Sequence, residues 1–479
     1  MKRLNVDVAI IGAGSAGMTA YRAALAHTDS VLVIESGPYG TTCARVGCMP
    51  SKLLIAAADA AHGVSRAGLF GVEVAGYQVD GEAVMRRLRE ERDRFVGFVV
   101  DAVESWPASH KLRGKARFIA PHVLRVDDHT EVHAARIVIA TGSSPVLPPG
   151  WCERLGDRLI VNDDVFSWQD LPRSVAVTGA GVIGLELAQA LARLGVKVSL
   201  LGRNSRIGPL TDPAVVNVAR AIFTDALRFS PDTTQVQPTL DGDGVRIAYM
   251  DNGVGQSVQV DFMLVAAGRR PNLHDLELQH AGLGLDAVGI PRADRQTGRI
   301  GGSHIFIAGD AGTDTPLLHE AADGGFLAGD NAGRYPHVQP HPRRAPLSIV
   351  FTDPQIAIAG VGHAALVRQG VRFEIGTASF EDQGRSRVMA QNRGLLAVYG
   401  EVGTGYFLGG EMIGPAAEHI GHLLAWALQQ RQTVLQMLAS PFYHPTVEEG
   451  LRSALRDLEK RLRPALTMPE DCMGCTPGA

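Results

Sequence analysis

The chain has 479 residues, and its 50 acidic and 46 basic side chains leave a net charge of −4. This small charge gives no indication of nucleic-acid or membrane-surface binding, and no apolar run reaches the roughly 20 residues of a membrane span. The length predicts about three domains of ordinary size. Five cysteines are too few for a disulfide-stabilised secreted fold. Because the first residues run directly into a strand pattern with no room for a leader, we expect a cytoplasmic protein.

A dinucleotide-binding motif opens the chain. The apolar run Asn5–Ile11 predicts a buried parallel strand. It is followed, at the start of a helix of small residues, by the glycines Gly12, Gly14 and Gly17. The next strand, Val31–Ile34, ends at Glu35. In this pattern the glycines allow a tight turn, close approach to pyrophosphate and helix–strand packing, and the acid binds a ribose.

Two cysteines, Cys43 and Cys48, follow this motif five residues apart. On an ideal helix, α-carbons at this spacing lie roughly 8–9 Å apart, whereas a disulfide requires less than about 7 Å. A Cys43–Cys48 disulfide therefore predicts a distorted helix and an easily reduced, redox-active bond. In a reducing compartment such a bond is usually catalytic. The alternative is a pair of unrelated buried thiols.

The dinucleotide pattern recurs in the middle of the chain. Strand Ser174–Thr178 is followed by a second glycine triplet, Gly179, Gly181 and Gly184, and by a helix through Leu194. The next strand, Val196–Leu201, ends without an acid, in Gly202 and Arg203. An acid would repel a 2′-phosphate and an arginine attracts it, so this end favours NADP(H) over NAD(H). Arg203 as an ordinary surface cation is the alternative.

Three later strands also end in glycine turns. Their carboxyl ends carry Thr141 and Gly142, Gly268, and Asp310, at the edge where open α/β sheets bind ligands. The proline-rich stretch 335–346 predicts a linker. The residues beyond it mix strand patterns with the helical stretch Glu418–Leu428 and carry no nucleotide motif, which predicts a third domain of the α+β class.

Together these motifs resemble the class I flavin disulfide reductases, which include dihydrolipoamide dehydrogenase, glutathione reductase and mercuric reductase. The resemblance covers nearly the whole chain. Its motifs occur in order: the first glycine triplet, the Cys-x4-Cys-x-Pro-Ser-Lys run 43–52, 140–142, the second triplet, 268–272, 307–310, Phe351-Thr-Asp-Pro354, and His444-Pro-Thr-Val-Glu-Glu449.

The resemblance implies an α/β fold with two Rossmann-like domains, for FAD and for NAD or NADP, and a carboxyl-terminal α+β dimerisation domain. The expected boundaries are 1–150 and 271–345 for the two parts of the FAD-binding domain, 151–270 for the NAD(P)-binding domain, and 346–479 for the interface domain. The protein is expected to form a homodimer and to use a small dithiol or disulfide, such as dihydrolipoamide or a lipoyl-bearing protein.

The resemblance also implies roles for single residues. Cys48 would be the thiol next to the flavin, and Cys43 the thiol that exchanges with substrate. Lys52 would lie near the flavin and pair with Glu186. Asp310 would hold the ribityl chain, and Gly114 would lie on the adenosine side. No metal site is implied.

His444 and Glu449 would form an acid–base pair delivered from the other subunit. Thiolates attack disulfides and thiols do not, so interchange needs a group that takes and returns a proton. A histidine titrates near neutrality, and a carboxylate five residues on orients it and raises its basicity. Without the cysteines, His444 would be assigned as a surface residue.

The chain departs from the family pattern at several positions. Thr41 stands where a second glycine is usual, and Glu448 where a small residue is usual. Arg45 replaces an asparagine, and a cation between the two sulfurs is expected to stabilise a thiolate. The tail carries a further pair, Cys472 and Cys475, whose spacing suits a reversible disulfide or half of a metal site. A tail with incidental cysteines is the alternative.

Three functions remain open from the sequence. The first is an FAD- and NAD(P)-dependent dithiol–disulfide oxidoreductase most like dihydrolipoamide dehydrogenase. The second is an NADPH-driven reductase of another disulfide or of a metal ion, which Arg203 and the tail cysteines favour. The third is a flavoprotein that acts as a redox sensor or as a docked subunit of a multienzyme complex.

Overall fold

The computed structural model describes residues 1–312 and 315–463. The predictions on Cys472 and Cys475 therefore lie outside the described residues. Among the described residues, no helix is both long enough and apolar enough to cross a membrane.

A largely parallel sheet forms the amino-terminal region. Its strands are β1 (Lys2–Ile11), β2 (Val31–Glu35), β3 (Lys111–Arg113), β4 (Ala116–Ala120), β5 (Val123–Val126) and β6 (Thr130–Ile139), followed by the short β7 (Ser143–Pro145) outside this sheet. The order β3-β2-β1-β6 is parallel, and β5 and β4 extend it in antiparallel fashion. The helices are α1 (Ser15–Leu25), α2 (Thr42–Val46), α3 (Cys48–Ser65) and α4 (Gly81–Glu104).

The middle region contains α5 (Trp151–Leu155), β8 (Leu159–Ile160), α6 (Asn162–Val165), β9 (Ser174–Thr178), α7 (Val182–Arg193), β10 (Lys197–Leu201), α8 (Pro213–Ala226), β11 (Arg228–Ser230) and β15 (Phe262–Val265). Its strands form a second parallel sheet in the order β11-β10-β9-β15-β8. An antiparallel meander precedes β15; its strands are β12 (Thr233–Asp241), β13 (Gly244–Asp251) and β14 (Val254–Val260).

The chain then returns to the first sheet. Strand β16 (Arg269–Pro271) pairs with β7, and β17 (Ile305–Ile307) joins β6 in parallel. Helix α9 (Leu318–Arg334) packs closely on α1. This approach requires glycine at position 325, because a Cβ there would lie 2.2 Å from the carbonyl oxygen of Ala16. The domain boundaries expected at 150, 270 and 345 stay predictions.

An antiparallel sheet forms the carboxyl-terminal region. Its strands are β18 (Leu347–Val350), β19 (Gln355–Gly360), β20 (Phe373–Ser379), β21 (Leu395–Glu401) and β22 (Phe407–Gly414), and they lie in the order β18-β19-β22-β21-β20. The helices are α10 (His363–Arg368), α11 (Gly384–Val388), α12 (Ala417–Gln429), α13 (Val434–Leu438) and α14 (Glu449–Leu462). The predicted fold class, two nucleotide-type α/β folds with an α+β region, is confirmed.

One buried apolar cluster joins the three regions. It includes Leu54 of α3, Leu187 of α7 and Ile413 of β22, all fully buried or nearly so. Burying an aliphatic side chain of this size contributes about 1.5–3 kcal/mol. Helix α3, which begins at Cys48, is therefore anchored in a core shared with the nucleotide sheet and the carboxyl-terminal sheet.

Candidate active site

The first glycine turn has the geometry that its sequence predicts. Gly12 has φ +108°, and a Cβ there would lie 2.3 Å from the carbonyl oxygen of Ala140. A Cβ on Gly17 would lie 1.9 Å from the carbonyl oxygen of Gly12. At Gly14, in contrast, an added Cβ would meet no described atom within 4 Å. The turn thus leaves open backbone at the start of α1, where a pyrophosphate fits.

The second turn repeats this geometry at the start of α7. Gly179 has φ +106°, a Cβ on Gly184 would lie 1.8 Å from the carbonyl oxygen of Gly179, and an added Cβ on Gly181 would meet no described atom within 4 Å. The two folds also share a register: the N–H groups of Gly12 and Gly179 donate, each over 2.8 Å, to Ile34 and Leu201. Glu35 and Gly202 therefore occupy equivalent positions.

These equivalent positions differ in space as well as in charge. Glu35 accepts hydrogen bonds from the N–H groups of Ala13 (2.8 Å) and Gly37 (2.7 Å), which hold the carboxylate at the first turn. A Cβ on Gly202 would lie 2.6 Å from the carbonyl oxygen of Pro231. The second fold thus lacks room for an acid at this position, and Arg203 is exposed in the loop directly after it.

Gly114 lies beside the first turn. Its N–H donates to the carbonyl oxygen of Glu35 over 3.1 Å. Its φ is +141°, and a Cβ would lie 2.5 Å from Oδ2 of Asp127. The positive φ and the filled space both favour glycine at this position, and a contact of Gly114 with an adenosine stays a prediction.

Thr141 carries a polar atom that lacks a partner among the described residues: its Oγ1 is buried and makes no hydrogen bond. Buried polar groups are rarely left unpaired, so this atom fits a ligand group. Gly142 continues the turn with φ +69°. Both residues follow β6, at the carboxyl edge of the first sheet.

A short chain of hydrogen bonds holds Asp310 at the same edge. Ser143 donates to Oδ2 of Asp310 over 2.8 Å, and Nε of Arg269 donates to Oγ of Ser143 over 2.9 Å. Gly268, with φ +118°, precedes Arg269 at the end of the second sheet. Sequence reasoning missed Ser143 and Arg269 as members of this site, although both lie directly beside predicted residues.

Cys43 and Cys48 lie on either side of a break between two helices. Helix α2 ends at Val46 and α3 begins at Cys48, so the predicted distortion lies at Gly47. A Cβ on Gly47 would lie 3.1 Å from Cα of Cys43. Both cysteines are thiols that hydrogen bond to each other.

This hydrogen bond gives the two thiols different pKa values. The hydrogen bond from Cys43 and the charge of Lys52 lower the pKa of Cys48 to about 7, against burial, which raises it. The same hydrogen bond, with burial and the negative charge of Cys48, raises the pKa of Cys43 far above its ordinary value. Cys48 is therefore the thiolate of the pair and Cys43 the thiol that stabilises it.

Lys52 forms the ion pair that the sequence predicted. Its Nζ lies 2.8 Å from Oε2 of Glu186, which is 4% exposed. Oε1 of Glu186 also accepts from the N–H of Phe351 over 2.9 Å, and the Phe351 ring lies 4.6 Å from Nζ of Lys52. Elements from all three regions thus fix this cation one helical turn after Cys48.

Arg45 acts elsewhere than the sequence predicted. The cation that lowers the pKa of Cys48 is Lys52. The Arg45 side chain packs beneath Gly40, where a Cβ would lie 3.1 Å from Cδ of Arg45. Its charge acts on Asp163. Burial raises the pKa of this carboxyl group, and the charges of Arg269 and Arg45 lower it.

Thr41 adopts a conformation suited to the glycine it replaces. Its φ is +49°, which is unusual for a β-branched residue and costs of order 1–3 kcal/mol. Its side-chain oxygen accepts from the N–H of Ala44 over 3.2 Å and caps α2. The hydroxyl thus gains a capping bond that a glycine lacks.

His444 and Glu449 form the predicted pair at the surface. Nδ1 of His444 lies 3.1 Å from each carboxylate oxygen of Glu449, which also accepts from the N–H of Thr446. The His444 side chain is 65% exposed and that of Glu449 16%. Glu449 fixes the ring through Nδ1, so Nε2 is the atom that can exchange a proton.

Metal-ligating side chains do not cluster in the part of the chain that the structure describes: no group of three or more His, Cys, Asp or Glu residues could hold an ion there.

Two family models cover most of the chain. Residues 6–325 match the pyridine nucleotide-disulphide oxidoreductase family, and residues 347–455 match the dimerisation domain of the same family. The family uses FAD and NAD(P)H, and the dimerisation domain supports a homodimer. The open glycine turns and the unpartnered oxygen of Thr141 fit these two dinucleotides.

Curated relatives carry two different functions. A mercuric reductase of Acidithiobacillus ferrooxidans is 30% identical over 474 residues, which cover 96% of this chain and 83% of the relative. Dihydrolipoyl dehydrogenase 3 of Pseudomonas aeruginosa is 30% identical over 475 residues, which cover 95% and 98%.

Solved structures share the fold. LpdA from Mycobacterium tuberculosis is 24% identical with a TM-score of 0.80, over 97% of this chain and all of that one. The Cu(II) complex of the HOCl-induced flavoprotein disulfide reductase RclA from Escherichia coli, as a C43S mutant, is 22% identical with a TM-score of 0.79, over 96% and 100%. With both family models and these relatives, the chain belongs to the pyridine nucleotide-disulphide oxidoreductases.

Proposed function

We propose that this protein is a dithiol–disulfide oxidoreductase that passes electrons between the Cys43–Cys48 pair and NAD(P)(H), most like dihydrolipoamide dehydrogenase. The observation that carries the proposal is the unequal pair of thiols. Cys48 has a pKa of about 7, with Cys43 as its hydrogen-bond donor and Lys52 as its cation. The flavin, when bound, supplies two-electron transfer between this pair and the nicotinamide.

The cysteines divide the chemistry between them. When a dithiol is oxidised, its thiolate attacks Sγ of Cys43 in the disulfide, the S–S bond breaks, and Cys48 leaves as a thiolate. The second substrate thiol then displaces Cys43 and closes the substrate disulfide. A low pKa makes Cys48 the better leaving group, and the high pKa of Cys43 returns it to the thiol form.

His444 would handle the protons of this exchange. Nε2 takes the proton of the attacking substrate thiol and returns it to Cys43, while Glu449 holds Nδ1 and stabilises the imidazolium. The exposure of His444 within one chain supports its delivery to the cysteines of the other subunit. The position of Lys52 beside Cys48 supports a role next to the flavin, and that of Asp310 a role at the ribityl chain.

A second candidate is an NADPH-driven reductase of another disulfide or of a metal ion. The close contact between Gly202 and Pro231 favours NADPH, because it excludes the acidic side chain that would bind an unphosphorylated ribose. The exposed Arg203, which follows Gly202, favours NADPH as well. Mercuric reductase among the relatives at 30% identity supports a metal ion as acceptor. A cytoplasmic location and a place in a multienzyme complex stay predictions.

An anaerobic titration of the purified flavoprotein tests both candidates. NADH, NADPH and dihydrolipoamide are added in separate experiments, and the flavin spectrum is followed. The first candidate predicts reduction by dihydrolipoamide at a catalytic rate and turnover with a nicotinamide acceptor. If NADPH reduces the protein but dihydrolipoamide does not, the second candidate replaces the first. Absence of turnover with any dithiol, disulfide or metal ion would favour a sensor or a docked subunit.

A further inference from the structure

The short helix that carries Cys43 is held from outside by a residue of the nucleotide region. Helix α2 has five residues, and its last carbonyl groups have no partner within the helix. The amide Nδ2 of Asn162, on α6, donates to the carbonyl oxygen of Val46 over 2.9 Å. Asn162 is 6% exposed, so water does not readily replace this bond.

This bond lies one residue before the break that separates the two cysteines. Gly47 follows Val46, and it lies so close to the start of α2 that an added Cβ would lie 3.0 Å from the carbonyl oxygen of Thr42. A rotation of α2 about this break would move Cys43 while Cys48 stays anchored with α3. The hydrogen bond between the thiols therefore depends on the orientation of α2.

A second attraction between α6 and α2 lies beside the first. Nδ2 of Asn162 also donates to Oδ1 of Asp163 over 2.8 Å. Asp163 in turn is attracted to Arg269 and to Arg45, which lies on the last turn of α2. The amide of Asn162 thus bonds Val46, and the carboxylate of Asp163 attracts the charge of the adjacent Arg45, which gives Arg45 a role different from stabilising a thiolate.

Asn162 is itself fixed to the nucleotide sheet. Strand β8 ends two residues before Asn162 and pairs with β15, next to the second glycine turn. The carboxylate of Asp164 accepts from the N–H of Val161 over 2.8 Å and caps α6. The amide of Asn162 therefore has a defined position relative to the nucleotide fold.

We propose that Asn162 is a positioning residue for the redox dithiol: its amide fixes α2 so that the thiol of Cys43 stays in hydrogen-bond contact with the sulfur of Cys48. The proposal rests on the proposed function, because it concerns the same pair of cysteines. Loss of the amide would release α2, weaken the bond from Cys43, and leave the Cys48 thiolate less stabilised. The other charges near Cys48, on Lys52 and Glu186, would remain in place.

The test compares Asn162→Ala and Asn162→Asp with the unaltered protein. Asn162→Asp keeps the shape of the side chain but cannot donate to Val46, and thermal melting shows whether either variant folds. The reduced proteins are alkylated anaerobically with iodoacetamide between pH 5 and 10, because only the thiolate reacts. Arg45 separates the two cysteines, so trypsin yields them in different peptides that mass spectrometry follows independently of Cys152 and the tail.

We expect the pKa of Cys48 to rise by about one unit in a folded Asn162 variant, so that alkylation at pH 6 falls about tenfold. Interchange with the disulfide substrate should slow by a similar factor, and flavin reduction by NAD(P)H should be unchanged. The matched control is Asp164→Ala, which removes the cap of α6 and leaves the amide of Asn162 in place. Its alkylation profile should stay that of the unaltered protein.

An unchanged alkylation profile in both Asn162 variants would overturn the proposal. An equal shift in Asp164→Ala would also overturn it, because α6 would then act only through its own folding. The alkylation measurement requires no turnover. A protein that lacks disulfide turnover but shows the shift in the Asn162 variants would therefore contradict the proposed function and support the role of Asn162.

Discussion

Lys52 and Glu186 form an ion pair of 2.8 Å that ties α3, the helix that begins at Cys48, to α7, the helix of the second dinucleotide motif. The pair affects Cys48 in opposite directions: the charge of Lys52 lowers the pKa of the thiol, and that of Glu186 raises it. Because Glu186 also accepts from the N–H of Phe351, three parts of the chain set the charge beside one sulfur.

Removing the charge of Lys52 or of Glu186 should therefore shift the pKa of Cys48 in a predictable direction. The pKa of Cys48 is about 7, so about half of it is thiolate at pH 7 and about nine-tenths at pH 8. Lys52→Met should raise this pKa, and Glu186→Gln should lower it. The measurement is the pH dependence of the long-wavelength thiolate–flavin absorption of the two-electron-reduced protein. Lys52→Arg, which keeps the charge, is the control, and shifts of the same sign in both variants would contradict the assignment.

Cys48→Ser tests the central assignment. FAD should remain bound, because the glycine turn, Glu35 and Asp310 do not depend on the sulfur. The thiolate–flavin absorption and the turnover of dithiols should be lost, because serine forms neither a thiolate nor a disulfide. Absorption spectra and a steady-state assay measure both. Full dithiol oxidation by this variant would refute the redox role of the cysteines.

His444→Ala should slow dithiol–disulfide interchange by about a hundredfold or more, the usual effect of losing a general acid–base group. Flavin reduction by NAD(P)H should change much less. Stopped-flow measurement of each half-reaction separates the two effects. Glu449→Gln should be milder, since an amide oxygen can still accept from Nδ1.

Mixed dimers test where His444 acts. Combining Cys48→Ser and His444→Ala subunits should restore part of the activity, because one of the two sites would then contain both an intact cysteine pair and an intact histidine. Dimers of confirmed mixed composition that stay inactive would show that His444 serves its own subunit.

Arg203→Ala should lower kcat/KM for NADPH by about 10- to 100-fold, as for the loss of a hydrogen bond to a charged group worth about 1.5–3 kcal/mol. The value for NADH should change little. Arg173→Ala is the control, since Arg173 is a 93% exposed cation at the amino edge of the same sheet. Equal loss for both nucleotides, or an unaltered protein that does not use NADPH, would refute the role of Arg203.

Deleting residues 470–479 tests the predicted tail dithiol. Turnover of a small disulfide should be spared, because such a substrate can reach Cys43 directly. Reduction of a protein disulfide or a metal ion should fall if Cys472 and Cys475 relay electrons. In that case, reduction by NAD(P)H should expose four thiols per subunit from the two pairs, with Cys152 counted separately. Unchanged rates with all acceptors would make the tail passive.

Local sequence was sufficient to predict the structure wherever the backbone conformation requires one residue type. The glycines of both dinucleotide turns could be identified because a Cβ at Gly17 or Gly184 would collide with the preceding turn. The break between Cys43 and Cys48 could be predicted because five residues of straight helix place the two α-carbons too far apart for a disulfide. The strands Val31–Glu35 and Ser174–Thr178 are apolar runs whose burial on both faces leaves little choice of structure.

Tertiary structure decided what depends on residues distant in the chain. Arg45 was expected between the sulfurs, but Asp163 lies 118 positions further along the chain and attracts it instead. In the sequence, Gly202 indicated only that an acid is missing. The structure shows that the carbonyl oxygen of Pro231 fills the space that a side chain would need. Asn162 belongs to no motif, and only the packing of α6 on α2 brings its amide to the carbonyl oxygen of Val46. The sequence by itself thus determined the two nucleotide folds and the helix break beside Cys43 and Cys48, because steric and periodic constraints are local. The charges and hydrogen bonds around these cysteines depend instead on which distant elements pack together.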